Sequence, residues 1–227
     1  MTTPHVSLTF FYFSKNQFWA FKQMGVGYRQ LKNVEGLRFK KLLGTGGGAG
    51  FSLRPDFSTY AFLGVWESQA TAEVFLSQHP FMHSYLKKAS AHRTLQLQPF
   101  QTAGLWDKQN PFQPALKEAP KATQAVAIIT RASLRWSRLR AFWKSVPAAS
   151  KAIASAQGIQ FYKGIGEWPW IQQATVSIWD NLEAVKQFAY KGSHAKIIKK
   201  TRQQKWYAED MFSRFVILSD TKKIEHS

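Results

Sequence analysis

The feature that most constrains this chain is that it repeats itself. Around residue 20 it reads AFKQMGVGYRQLKNVEGLRFKKLLG, and around residue 141 it reads AFWKSVPAASKAIASAQGIQFYKGIG. Gly36, Phe39 and Gly44 of the first stretch are matched by Gly158, Phe161 and Gly166 of the second, at the same spacings of three and eight residues. Downstream, FLGVWESQATAEVF is answered by VSIWDNLEAVKQF, pairing Trp66 with Trp179, Glu67 with Asp180 and Phe75 with Phe188. A histidine follows each phenylalanine, His83 after eight residues and His194 after six. Matches in one order at similar spacing mark a duplication. The 227 residues suffice for two small units and a sizeable core.

Each copy reads as the same string of elements. VSLTFFYF and AVAIITRAS are β-rich. Apolar residues at helical spacing follow them, Phe18, Phe21 and Gly25 in one copy and Leu139, Phe142, Trp143 and Val146 in the other. Next come the strands LRFKKLL and IQFYKGI, then TYAFLGVW and ATVSIW ending in the shared tryptophan. Ser68 and Asn181 then stand where a side-chain oxygen can cap a helix, and TLQLQPF and RFVIL supply a last strand. The order βαββαβ, taken twice, predicts an α+β fold of tandem ferredoxin-like repeats whose sheets pack face to face as a pseudo-dimeric α+β barrel. The expected boundaries are 1–104 for the first repeat, 105–123 for a Pro-rich polar linker, 124–219 for the second repeat and 220–227 for a loose tail.

The copies differ in one loop. Gly44 to Trp66 is 22 residues, whereas Gly166 to Trp179 is 13, the surplus falling within GTGGGAGFSLRPD. Gly44-x-Gly46-x-x-Ala49 fits a loose dinucleotide fingerprint, but Pro55 and a strand follow where that fingerprint needs a helix. The reading that remains is a lid or pocket edge, against a plain flexible hairpin.

Composition closes several routes to chemistry. There is no cysteine, which excludes thiolate nucleophiles, zinc ribbons, iron–sulfur clusters and Cys-ligated haem. Acids number 13, and no GxSxG or HExxH occurs, which argues against a hydrolytic triad, paired-carboxylate hydrolysis and a zincin site. Glu67 and Asp180 sit beside expected helix starts, where a negative charge suits the dipole. In SHAKIIKKTRQQKW, His194 shares a helical face with Ile197, Ile198 and Thr201, opposite Lys196, Lys199 and Lys200. An imidazole on that face is buried and neutral, and either hydrogen-bonds within a core or ligates a metal. His83 lies beside the stripe of Met82, Tyr85, Leu86 and Ala89 rather than on it, and His79 before Pro80 reads as a turn residue.

Net charge is +18, and residues 119–166 and 184–208 carry eight and seven Lys or Arg with no acid. Such a charge predicts attraction to an anionic partner: nucleic acid, a phospholipid surface or an acidic protein. RASLRWSRLRAFWK interleaves Arg with Trp, as in RNA binders, yet the RNP1 pattern is absent and the apolar residues fall at core-facing helical spacing. An anionic membrane surface accounts for the charge as well as nucleic acid does. No secretory signal and no spanning apolar run is read, so the expected location is the cytoplasm, with peripheral membrane contact.

WAFKQMG (19–25), GLRFKKLLGTGGGAGF (36–51), TYAFLGVW (59–66), GLWD (104–107), GIGEWPW (164–170), Gln173 with ATVSIWD, and SHAKIIK with KWYAEDMFSRF together resemble the spheroidene monooxygenase family of acyclic carotenoid ketolases. The resemblance runs over about residues 5–218. It implies an O2-dependent monooxygenase that places a keto group on an apolar carotenoid-type substrate, with haem b as the iron cofactor and an external, ferredoxin-type electron donor. It implies His194 as the axial ligand, Arg202 as a partner of the haem propionates, and Trp170 and Gln173 as pocket-lining residues. The same barrel also hosts other haem chemistry, such as aldoxime dehydration or haem breakdown, and a non-enzymatic haem or lipid carrier fits the same residues.

Overall fold

A computed structural model describes residues 2–48, 52, 54–168, 170–190, 201 and 203–224. The first repeat runs β1 (His5–Tyr12), α1 (Gln17–Val26), β2 (Leu37–Gly46), β3 (Pro55–Trp66), α2 (Gln69–Gln78), α3 (Pro80–Leu86) and β4 (Ala91–Gly104). The second runs β5 (Val126–Leu134), α4 (Leu139–Ala154), β6 (Ile159–Trp168), β7 (Gln172–Trp179), α5 (Leu182–Tyr190) and β8 (Tyr207–Ile224). All eight strands pair antiparallel in one closed barrel, in the order β1-β3-β2-β6-β7-β5-β8-β4. The chain is therefore a pseudo-dimeric α+β barrel of tandem ferredoxin-like repeats.

Alternation along the strands explains the two kinds of core. Val6, Leu8 and Phe10, with Ala61, Leu63 and Val65, point inward and meet Ala127, Ile129, Ala174, Val176 and Ile178 from the other repeat. The opposite faces carry helices: Phe11, Phe62 and Trp66 pack on Phe75, Phe81 and Tyr85 in repeat one. The helix starts are as expected: Ser68 accepts from the Thr71 N–H, and the Asn181 carboxamide accepts from the Ala184 N–H at 2.9 Å.

Four expectations need correction. Phe18 and Phe21 are 81% and 52% exposed, and α1 buries Ala20 and Gln23 instead. Helical spacing alone does not say which side meets the sheet: α1 turns Ala20 and Gln23 inward, and the Phe21 ring meets Phe57 at 5.7 Å instead. Trp136 is likewise exposed rather than core-facing. The stretch read as a linker inserts Trp106 and Phe112, both fully buried, into the barrel interior, where Trp106 meets Phe39 and Phe112 meets Phe215. A polar, Pro-rich segment can still supply a plug through two aromatics. Finally, residues 220–224 of the expected tail continue β8, and Ala91 on β4 pairs with Ile224.

Candidate functional site

The two repeats pair their strands in matching register, which makes their differences readable. Phe11 pairs Tyr60 in the first, as Ala132 pairs Gln173 in the second. Leu42 pairs Phe62 in the first, as Gly164 pairs Thr175 in the second. Phe11, Leu42, Tyr60 and Phe62 fill the space between sheet and helices of repeat one. Their counterparts Ala132, Gly164, Gln173 and Thr175 form a low floor of small and polar side chains on the same face of repeat two. The packing divides accordingly. Among the described residues, repeat one has one continuous helix–sheet cluster, whereas repeat two has two: Ala132 and Leu134 with Phe142, Val146 and Trp206, and Val126 and Ile128 with Trp179 and Val185. Ala132 belongs to the first of these clusters, Gly164, Gln173 and Thr175 complete the floor beside it, and Thr130 and Thr175 are cross-paired.

The floor borders the shorter of the two seams where the repeats join, the other being β4 against β8. There β2 and β6 share only the pairs Gly44–Gly166 and Thr45–Ile165. A groove of about 160 Å³ crosses the seam, lined by Phe21, Met24, Phe57 and Tyr60 from repeat one and by Gly166, Trp170 and Gln173 from repeat two. Gly44, Gly46 and Gly166 leave its base without side chains, and a Cβ on Gly166 would come within 2.6 Å of the Gln172 carbonyl oxygen. A more open cavity of about 640 Å³ lies beyond the short seam, between Tyr12, Thr59, Ile159, Phe161 and Lys163. Described residues of the Gly-rich loop edge both: Gly46 and Ser52 the groove, Gly48 the cavity, and the Lys163 ammonium donates to the Gly48 carbonyl at 3.0 Å.

Of the sequence-derived site residues, Trp170 and Gln173 come together in this groove. Gln173 is buried, and its amide donates to the Trp168 carbonyl at 3.4 Å. Trp170 sits at φ 71°, a left-handed conformation that bulky residues seldom adopt, and its carbonyl accepts from the Trp143 indole N–H. His194 and Arg202 lie outside the described residues. The described histidines all belong to repeat one, and several have local employment. His79 caps α3 by accepting from the Phe81 N–H, and His83 is exposed and bonds the Ser77 carbonyl at 2.8 Å. No cluster of three or more metal-ligating side chains occurs among the described residues.

Electrostatics at the groove are set by burial and neighbours. Burial opposes ionisation of Asp56, but hydrogen bonds from Ser58 and Lys163 outweigh it and hold the carboxyl below its usual range. Burial, with Asp56 nearby, pushes the Tyr60 hydroxyl up to about 12, so it stays protonated.

Sequence reading missed a second constellation, around the plug. The Lys41 ammonium contacts Asp107 and Glu167, and the Trp106 indole donates to Glu167 at 2.8 Å. Arg131 contacts Glu209, which also accepts from the backbone N–H groups of Asp107 and Lys108. Lys41 and Arg131 have side chains only 8% and 2% exposed. Burial would raise the Glu209 pKa, yet the Lys108 N–H and Arg131 prevail and lower it. The one sequence signal was the scarcity of acids, since three of the 13 gather here.

No family model matches the chain. It is 32% identical over 218 residues to the spheroidene monooxygenase of Rhodobacter capsulatus, a match covering 95% of this chain and 90% of that protein. To the spheroidene monooxygenase of Cereibacter sphaeroides it is 31% identical over 224 residues, covering 97% and 68%. Among solved structures, an aldoxime dehydratase superimposes with a TM-score of 0.62 at 10% identity, covering 99% of this chain and 86% of that one. That likeness is one of fold.

Proposed function

The chain belongs to the spheroidene monooxygenase family, and from that premise we propose that it is a haem-dependent oxygenase that uses O2 to place a keto group on an apolar, carotenoid-type substrate. The observation that carries the cofactor reading is the floor of repeat two. Four large helix-facing side chains of repeat one are replaced there, in register, by Ala132, Gly164, Gln173 and Thr175. Interiors pack close to crystal density, and smaller side chains at these four positions would suit a guest that completes the packing. A flat macrocycle suits a floor of glycine, alanine and threonine.

His194 would hold the iron. It follows Phe188 by six residues, and the Phe188 ring packs on Trp179 at 5.1 Å beside the floor. A neutral imidazole is the protonation state that ligating iron would require of it. Arg202 would meet the propionates through charge-assisted hydrogen bonds. Haem, when bound, supplies activation of O2 at iron. The chain's own residues do the remaining work. Phe21, Phe57 and Trp170 offer an apolar wall to an extended substrate, and Gln173 presents a side-chain amide at the join of groove and floor. The basic surface would receive an acidic, ferredoxin-type electron donor.

The test is spectroscopic. Haemin added to the purified protein should give a Soret band that His194→Ala abolishes while the melting temperature holds. Turnover of a carotenoid with reductant and O2 should then yield a ketone. Absence of the band would overturn the haem assignment, and its persistence in the variant would overturn His194 as the ligand.

A further inference from the structure

We propose that the barrel end bearing Trp136, Trp168 and Trp170 docks on an anionic phospholipid bilayer. These indoles are 76%, 67% and 50% exposed. They come from separate elements that the fold ties together. The Leu134 N–H, at the end of β5, donates to the Ile171 carbonyl at 2.9 Å, and Ser133 pairs Gln172, which in turn pairs Trp168. The Trp143 indole, from α4, holds the Trp170 carbonyl. Trp136 begins the turn into α4, two residues beyond Leu134.

Cations surround them. Arg135, Arg138, Arg140 and Lys144 are exposed along the turn and the start of α4. The sequence contains no acid between Glu118 and Glu167. The carboxylates nearest this end are already engaged: Glu167 with Lys41 and the Trp106 indole, and Glu209 with Arg131. Asp210 on β8 stays exposed, against four cations.

The chemistry selects the partner. Indoles favour the headgroup level, where the ring leaves water and the N–H keeps a partner. Each Lys or Arg near an anionic leaflet adds about 1 kcal/mol. Single-stranded RNA calls for aromatics laid out as a platform on a sheet face. Here they stand on turns and a strand end at the rim, the arrangement of a shallow insertion. No described helix is long and apolar enough to cross a membrane, so contact through these elements would be peripheral. The proposal rests on surface residues and is independent of the cofactor reading.

Vesicle flotation tests it, with phosphatidylcholine alone and mixed with phosphatidylglycerol. The protein should float with the mixed vesicles and be released by salt at about 0.5 M. Brominated lipid should quench its tryptophan fluorescence, and a folded Trp136→Ser/Trp168→Ser variant should lose most of that quenching. Arg135→Gln/Arg138→Gln should weaken partitioning about tenfold or more. Lys222→Gln/Lys223→Gln removes equal charge from the opposite end of β8 and should weaken it far less. Equal losses in the two charge variants would overturn the proposal, as would no flotation or full quenching in the tryptophan variant. Preference for single-stranded RNA over the mixed vesicles would overturn it in favour of nucleic acid.

Discussion

A single side chain can decide whether the second repeat holds a guest. Thr175 occupies the position of Phe62, which in repeat one packs on Phe75 and Phe81. Thr175→Phe places in repeat two the ring that repeat one already accommodates, so the fold should tolerate it. The expected outcome is a melting temperature within a few degrees of the parent or higher, with haemin uptake abolished, measured by titration at the Soret band. Phe62→Thr in repeat one is the contrasting loss. It opens a cavity in a continuous core, on the order of 3 kcal/mol in chemical denaturation. Of the candidate residues, Trp170 and Gln173 were legible only through family-like motifs. Nothing in their spacing shows that Phe21 and Phe57 stand on the opposite wall. Lys41 was not legible at all. A lysine in the strand LRFKKLL reads as a solvated face, and its burial depends on Asp107 and Glu167 arriving from distant segments.

At the level of elements, the two hairpins next to the seam perform different tasks with related glycines. In β2, a Cβ on Gly44 would meet only the Gly166 carbonyl oxygen, at 3.9 Å, an ordinary contact. In β6, a Cβ on Gly166 would press on the Gln172 carbonyl at 2.6 Å, and that backbone has no flexible end to yield. Gly166→Ala should therefore cost on the order of 1–3 kcal/mol in urea unfolding, with Gly44→Ala near neutral. Equal costs would show that the tight β6–β7 return is not the constraint. The strands and helix caps were readable because they depend on local periodicity and on single oxygens such as that of Ser68. The outward face of α1 was not, because Phe18 and Phe21 follow a helical spacing whichever side the sheet takes.

For the whole molecule, one carboxylate at the plug and one at the groove couple stability to pH. Glu209 and Asp56 have carboxyls held below their usual range, the first chiefly by Lys108 and Arg131, the second by Ser58 and Lys163, each against the opposing effect of burial. A depressed folded-state value means that the unfolded chain takes up protons first as pH falls. Their contribution is full above about pH 5 and is lost as pH drops through the folded-state values. The melting temperature should fall between about pH 5 and 3, and Glu209→Gln should lower it at neutral pH while flattening that slope. An unchanged slope in the variant would assign acid sensitivity elsewhere. The amino-acid order alone determined the duplication, the eight strands, which residues alternate together and the caps, since each follows from spacing within a few positions. Only tertiary structure decided that β2 and β6 meet over two pairs, that Trp106 and Phe112 plug the barrel, and that the floor of repeat two lies low. A strand's period says which side chains share a face, but what stands opposite is set by packing between segments a hundred residues apart, where no local spacing reaches.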